Sequence, residues 1–274
     1  MIKLIATDID GTLLDKDRFI STRTATIFKQ LEIPKVLISA RMPQAMHYLQ
    51  DALDISGTPI ICYNGALVLD NDQVLHTESI DYEVIKQIAA IGLENDLHVS
   101  LYRNDEWFVE QMDQWAAREV NNTRTQPQIQ SLAKSLAYLE NSKDQGGAHK
   151  IMFMGDADKM DLAFAKAEKL FSSELHLYRS KDTYTEISPK GISKKSALEL
   201  LLKAKHPDIQ MSEVAAFGDN YNDTEMLAGV GYGIAVENAR PEVLAASRYS
   251  TLHHKQDGVA DWLEKNLLNK KTTP

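Results

Sequence analysis

The sequence predicts an α/β fold: a doubly wound parallel sheet, interrupted by a second, smaller α+β domain. Three observations predict it. Short apolar runs end on polar, chemistry-bearing residues: "MIKLIAT" stops at Asp8, "KVLIS" on Ser39 and "EVAAFG" at Asp219. Between such runs lie stretches of helical periodicity, and strands alternating with helices imply parallel pairing. Across residues 81–184 the alternation breaks down, and that length is enough for a small domain of its own.

Taken in order, "MIKLIAT" is a strand apolar enough to be buried on both faces. "STRTATIFKQL" follows as a helix behind a Ser/Thr cap, and "KVLIS" is the second strand. "MPQAMHYLQDAL" is a helix with Pro43 suited to its first turn, and "PIICY" is a strand running into Asn64-Gly65. The inserted segment opens with the helix "YEVIKQIAAIGLEN". A hairpin, "HVSLYRNDEWFVEQ", then turns at Asn104-Asp105. Strands "HKIMFMG" and "LHLYRS" flank the helical "MDLAFAKAEKLF". The first pattern then resumes with the helix "SKKSALELLLKA" behind Ser193, the strands "EVAAFG" and "YGIAV", and the helix "RPEVLAAS" with Pro241 early in it. The expected domains are a discontinuous core, residues 1–80 and 185–274, and an insertion, residues 81–184, with "NKKTTP" as a frayed tail. In doubly wound sheets ligands bind outside the carboxyl ends of the strands, so Asp8, Ser39 and Asp219 are expected to converge there.

Acids outnumber bases, 39 to 30, for a formal charge of -9. That argues against a broad nucleic-acid surface but not against one small phosphate ester in a local pocket. The single cysteine, Cys62, has no internal partner, and the first ten residues lack a signal-peptide pattern, so a cytoplasmic protein is expected. No apolar run approaches the roughly 18 residues that span a bilayer. Oligomeric state is not legible.

The chemistry starts at "LIATDIDGTLLD", where a strand ends by crowding Asp8 against Asp10. Carboxylates that close repel and raise each other's pKa unless a cation or a shared proton intervenes. The pair asks for a metal, a phosphate, or both.

"DIDGT" at 8–12, Ser39 at the end of the second strand, "GISK" at 191–194 and "GDNYND" at 218–223 resemble, in order, the four motifs of the haloacid dehalogenase superfamily. "YNGA" at 63–66, "EISPKGISK" at 186–194, "ENARPEV" at 237–243 and "DGVADWL" at 257–263 accompany them. The insertion resembles, in placement and size, the class IIB cap of the Cof-like phosphatases. The resemblance implies a Rossmann-like core and a Mg²⁺-dependent phosphatase of small phosphorylated metabolites, sugar phosphates first. Asp8 would be the nucleophile that forms an aspartyl phosphate. Mg²⁺ would be held by the carboxylates of Asp8 and Asp219 and the main-chain carbonyl of Asp10. The Asp10 side chain would serve as general acid and then base. Ser39 would donate to a phosphoryl oxygen, with main-chain N–H groups of Ile9 and Ala40 in an anion nest. Lys194 would offset the phosphate charge, and Asn222 would reach the phosphate or a metal-bound water. Asp223 and Thr12 would stand behind these residues, with Arg41 and Asn64 at the pocket mouth.

Two departures from the pattern stand out. Ala40 and Lys195 occupy positions where relatives commonly carry glycine. Neighbouring helix residues point about 100° apart, so only one of Lys194 and Lys195 can face the site; the motif favours Lys194, with Lys190 more distant. Plainer roles are expected elsewhere. Ser39 and Asp223 double as helix caps, "GDADKMD" at 155–161 N-caps a helix, and His253-His254 form an exposed loop pair ill-suited to Mg²⁺. Cys62, Tyr102, Trp107 and Trp115 are read as packing. The competing classes are a phosphomutase or phosphotransferase of the same superfamily and a phospho-accepting signalling module. For the latter the chain is over twice the expected length of about 120 residues.

Overall fold

The structure, a computed structural model, describes residues 1–269; of "NKKTTP", residues 270–274 and the fraying expected of them lie outside the described residues. The chain opens β1 (Leu4–Thr7), α1 (Thr22–Gln30), β2 (Lys35–Ile38), α2 (Gln44–Ala52), β3 (Ile60–Cys62), β4 (Leu67–Asp70) and β5 (Gln73–Thr77). The next stretch holds α3 (Tyr82–Glu94), β6 (His98–Arg103), β7 (Glu106–Val109), α4 (Gln114–Thr123), β8 (Gln128–Ile129) and α5 (Leu132–Asn141). It continues with β9 (Lys150–Met154), α6 (Ala157–Phe171), β10 (Leu175–Lys181) and β11 (Tyr184–Pro189). The chain ends with α7 (Lys194–Lys205), β12 (Val214–Gly218), α8 (Thr224–Gly229), β13 (Tyr232–Val236), α9 (Pro241–Ala246), β14 (Tyr249–Thr251) and α10 (Gly258–Leu263). Among the described residues no helix is long and apolar enough to cross a membrane.

Two compact units result. One gathers residues 1–41, 46–76 and the chain from Ser193 onward; the other holds Thr77–Ile192 with Met42–Ala45. The first contains a sheet ordered β14-β13-β12-β1-β2-β3-β4-β5. Its strands from β14 to β3 pair in parallel. β1, β2, β3 and β12 are buried along nearly their whole length, as expected when helices cover both faces. The sheet is not parallel throughout: β4 runs antiparallel to β3. The β4–β5 connection turns at Asn71, whose φ of 52° suits an asparagine. Pro241 sits in the first turn of α9 as predicted, whereas Pro43 falls just before α2.

The second unit carries a sheet ordered β10-β11-β9-β6-β7-β8. Alternate residues face opposite ways. Leu101, Phe108, Ile151, Phe153 and Ile187 join Ile85, Ile88, Met160 and Leu139 in one apolar core. On the other parity, Tyr102 stacks on Trp107 with centroids 5.6 Å apart, and the Lys150 ammonium lies 4.5 Å from the Tyr102 ring centroid. The hairpin turns at Asn104 (φ 50°), as its sequence predicts. Asp156 stands at the N-cap of α6, but its side chain makes no capping hydrogen bond and lies 4.0 Å from the Lys159 ammonium, which pairs with Asp96 at 2.6 Å.

Candidate active site

The site lies at the carboxyl ends of β1, β2 and β12. Asp8 follows β1, and its N–H donates to the Phe217 carbonyl at 3.0 Å, carrying the β1–β12 pairing one residue past the strand. The chain then curls back, with the N–H groups of Leu13 and Leu14 both donating to the Ile9 carbonyl. Gly11 makes this curl possible. Its φ is 83°, and a Cβ there would stand 2.5 Å from Asp219 Oδ2. Thr12 Oγ1 donates to Asp219 Oδ1 at 2.9 Å, so the loop after β1 and the loop after β12 are joined directly.

Lys194 is the first residue of α7, behind Ser193, whose hydroxyl accepts from the Ser196 N–H in a capping box. The buried ammonium donates to Asp8 Oδ1 and Asp223 Oδ1, each at 2.6 Å. Asp223 is itself fixed, because its Oδ2 accepts from the N–H groups of Asp219 and Asn220 at 3.0 and 3.1 Å. That replaces the expected helix cap: the side chain turns back into the loop and does not cap α8. Lys195 points elsewhere, with its ammonium 3.7 Å from Glu199 Oε1 and its stem against Gly229. Lys190 donates to the Ser172 carbonyl in the second unit.

Ser39 is buried, and its hydroxyl accepts from the Arg41 N–H at 3.2 Å, which closes the turn after β2. Asn64, at φ 57°, donates its N–H to the Ser39 carbonyl and accepts from Asn222 Nδ2 at 2.9 Å. Asn222 Oδ1 is buried with no hydrogen-bond partner among the described residues. Arg41 is buried and does not stand open at a pocket mouth. It grips Asp10 through Nε to Oδ2 at 2.7 Å and Nη2 to Oδ1 at 2.8 Å, and donates through Nη1 to the Tyr48 hydroxyl at 2.9 Å.

Sequence reasoning missed two contributors. Arg18 donates to Asp10 Oδ1 at 2.5 Å, and nothing in "DKDRF" marks it out. Asn238, within the quoted "ENARPEV", donates to the Gly11 carbonyl at 2.8 Å and accepts from the His254 N–H. His254 Nδ1 in turn donates to the Leu14 carbonyl at 2.6 Å. His253 and His254 are therefore half-buried and stacked behind the loop after β1, and the expected exposed pair is corrected.

Electrostatics divide the carboxylates. Burial pushes Asp8 well up; the Lys194 charge opposes this, but Asp223 and Asp219 add to it. Burial likewise raises Asp219, to about 6, with Asp223 reinforcing the shift and the Thr12 hydrogen bond opposing it. Burial would raise Asp10 as well, but the charge and hydrogen bonds of Arg41, then the charge of Arg18, outweigh it and hold Asp10 below the ordinary value. Lys194 is raised: burial works against its charge, yet Asp223 and Asp8 more than compensate. As it stands, Asp10 is an acceptor, while Asp8 and Asp219 lack cationic partners sufficient for their charge. Carboxylate oxygens of Asp8, Asp219 and Asp223 lie within 4.8 Å of one another. All the donors are hard oxygens, the chemistry Mg²⁺ selects. With both Asp223 oxygens already engaged, Asp8 and Asp219 are the pair suited to an ion.

A haloacid dehalogenase-like hydrolase family profile matches residues 5–263. A Haemophilus influenzae protein provisionally named a phosphatase is 30% identical over 274 residues, covering 97% of this chain and 99% of its own. The HMP-PP phosphatase of Serratia proteamaculans is 27% identical, with 96% and 95% covered. Among solved structures, a haloacid dehalogenase-like hydrolase from Bacteroides thetaiotaomicron superposes with a TM-score of 0.87 at 26% identity over 97% of this chain and 99% of its own. A Thermotoga maritima protein reaches 0.84, also at 26% identity, over 97% of each chain. The chain belongs to the haloacid dehalogenase-like hydrolase family and is a phosphoric monoester hydrolase within it.

Proposed function

We propose that this phosphatase moves the phosphoryl group of a small phosphorylated metabolite first to Asp8 and then to water, with Mg²⁺ as cofactor. The observation that carries the reading is the Lys194 bridge, 2.6 Å from both Asp8 and Asp223, beside the Asp219 carboxylate. Lys194 pins one Asp8 oxygen, which leaves the other to attack phosphorus in line. Asp8 and Asp219 would hold the Mg²⁺, with the Asp10 main-chain carbonyl as a third ligand. When bound, the ion supplies neutralisation of charge on the phosphoryl oxygens. Lys194 adds a fixed positive charge against the same oxygens. Ser39 and the N–H groups of Ile9 and Ala40 form the phosphate seat, and Asn222, held by Asn64, offers a further polar contact. Asp10 gives a proton to the departing ester oxygen, which leaves as the alcohol, and then takes one from the water that opens the aspartyl phosphate. Residues 81–184 are the cap that selects the leaving group, and sugar phosphates are the first substrates to try.

The test is phosphate release from p-nitrophenyl phosphate and a metabolite panel, run beside Asp8→Asn. We expect hydrolysis in the wild type, its loss in the variant, and its loss on chelation of divalent ions. Undiminished turnover by Asp8→Asn would overturn the reading.

A further inference from the structure

We infer that Tyr48 and Arg41 are positioning residues for Asp10: they fix the plane of its carboxylate and leave Oδ2 as the oxygen through which it gives and takes a proton. The inference rests on the reading of Asp8 as nucleophile and Asp10 as acid and base. To that reading it adds the residues that aim Asp10 and the atom that makes the transfer.

Three observations carry it. Asp10 has little else to hold it. It stands in the loop after β1 with its side chain 37% exposed, and among the described residues its carboxylate accepts only from Arg41 and Arg18. Such a side chain turns about its own torsions, whereas a general acid has to sit within hydrogen-bond reach of the oxygen it protonates. Next, Arg41 is rooted at both ends. Its N–H donates to Ser39 Oγ at 3.2 Å and its carbonyl accepts from the Tyr63 N–H at 3.1 Å, which ties its main chain to the ends of β2 and β3. Its guanidinium is 4% exposed and donates through Nη1 to the Tyr48 hydroxyl at 2.9 Å. Tyr48 lies midway along α2, so a helix backs the fork. Nε and Nη2 face Asp10 and reach Oδ2 and Oδ1 at 2.7 and 2.8 Å, the paired arrangement that sets a carboxylate's plane as well as its distance. Finally, the two oxygens are unequally filled. A carboxylate oxygen has room for two hydrogen bonds. Oδ1 accepts from Nη2 of both Arg41 and Arg18 and is full, while Oδ2 accepts from Arg41 Nε alone. The open position on the carboxylate is on Oδ2.

Both proton transfers then use one atom. An Asp8 oxygen attacks phosphorus and the bond from phosphorus to the ester oxygen breaks. The electron pair stays with the ester oxygen, which takes the proton from Asp10 Oδ2 and leaves as the alcohol. Water next attacks the aspartyl phosphate, its proton passes to the same position on Oδ2, and orthophosphate leaves as the Asp8 carboxylate is restored. The fork stays closed throughout, because neither transfer uses a position that Arg41 or Arg18 fills.

The experiment uses p-nitrophenyl, p-chlorophenyl and phenyl phosphate, which are alike in shape but release phenolates of rising basicity. The more basic the phenolate, the more its departure depends on the Asp10 proton. The slope of log kcat/KM against leaving-group pKa is measured with Mg²⁺ present for wild type, Asp10→Asn, Arg41→Lys, Tyr48→Phe and Arg18→Gln. Asp10→Asn has no proton to give and marks the steepest slope. Arg41→Lys keeps the charge but lacks the fork. It should lose about tenfold more on phenyl than on p-nitrophenyl phosphate, which moves the slope toward that of Asp10→Asn. Tyr48→Phe removes one hydroxyl from behind the fork and should lose about threefold more on the same comparison, a reading that stands even where Arg41→Lys fails to fold. Arg18→Gln leaves the fork and Oδ2 in place, so its slope should match wild type whatever happens to kcat. Equal fractional losses on all three substrates in Arg41→Lys and Tyr48→Phe would reduce both residues to a structural role and overturn the inference. So would a slope in Arg18→Gln as steep as that of Asp10→Asn. Asp8→Asn, run on p-nitrophenyl phosphate, separates the two failures. If it abolishes hydrolysis while no arginine or tyrosine variant alters the slope, only the positioning assignment falls; if hydrolysis does not depend on Asp8, the phosphatase reading falls too.

Discussion

Lys194 and Lys195 differ by one position and by everything around their ammonium groups. Lys194 is buried between Asp8 and Asp223, whereas Lys195 is 40% exposed beside Glu199. On the proposed mechanism, replacing Lys194 with alanine removes the charge set against the phosphoryl group and frees Asp8 to swing, so kcat should fall by about a hundredfold or more. Lys195→Ala loses only a surface pair, and kcat should stay within about twofold. Equal losses in the two variants, measured on p-nitrophenyl phosphate, would reverse this assignment. At this scale the sequence was informative where a residue's place follows from a strand end or a helix start. Asp8 and Asp219 end neighbouring parallel strands, and Lys194 opens a helix behind a serine cap. It was uninformative where a side chain's direction depends on a backbone conformation that composition does not reveal. Arg18 reaches Asp10 because its own φ is positive, and Asp223 leaves its helix cap because two loop N–H groups compete for the same oxygen.

Elements were legible in proportion to their periodicity. α1, α3, α6 and α7, together with the buried strands, stood out because each runs long enough or apolar enough to show its pattern. β4, β5, β8, β14, α4 and α5 did not, nor did β11, buried though it is. β5 and β14 are half-exposed edge strands of mixed polarity, and α4 buries only Ala116 fully. Among the elements of the second unit, the start of β9 carries a testable charge effect. His149, buried just before that strand, accepts at Nδ1 from the Asn104 N–H and donates from Nε2 to Thr77 Oγ1. Burial, then the nearby Arg103 charge, lowers its pKa to about 4. The unfolded chain binds this proton near 6.5, so between those values it holds more protons than the folded state. The stabilisation is complete above the upper value and is lost as pH falls towards the lower one. At pH 5 the loss is on the order of 2 kcal/mol. Hydrogen exchange of the β9 amides, corrected for intrinsic rates, should show this drop between pH 7 and pH 5 in the wild type. A much smaller drop is expected in His149→Gln, and equal drops would assign the effect to other groups.

For the molecule as a whole, the candidate active site ties together parts of the chain that are far apart in sequence. Lys194 meets Asp8 across 186 positions, and Thr12 meets Asp219 across 207. A cation shared by Asp8 and Asp219 would therefore stabilise the core as a unit, not one loop of it, and should raise the melting temperature. The pH dependence fixes the sign. Asp219, raised to about 6 by burial and by Asp223, holds its proton more tightly folded than unfolded. Without metal, its contribution to stability is present below the ordinary carboxylate value and lost as pH rises through about 6. With metal the dependence inverts, because only the carboxylate binds and the proton competes with the ion. Mg²⁺ at about a hundred times its dissociation constant at pH 7.5 should stabilise by about 2.7 kcal/mol, a melting shift of about 5 °C or more. The same concentration at pH 5 should give no more than about half that free energy, since protonation of Asp219 alone weakens the apparent affinity about tenfold and a proton on Asp8 competes as well. Asp219→Asn should abolish the shift at both values. Melting curves with and without Mg²⁺, followed by calorimetry on both proteins, decide the matter: equal shifts at the two pH values, or a shift that survives in Asp219→Asn, would place the ion somewhere other than between these strand ends.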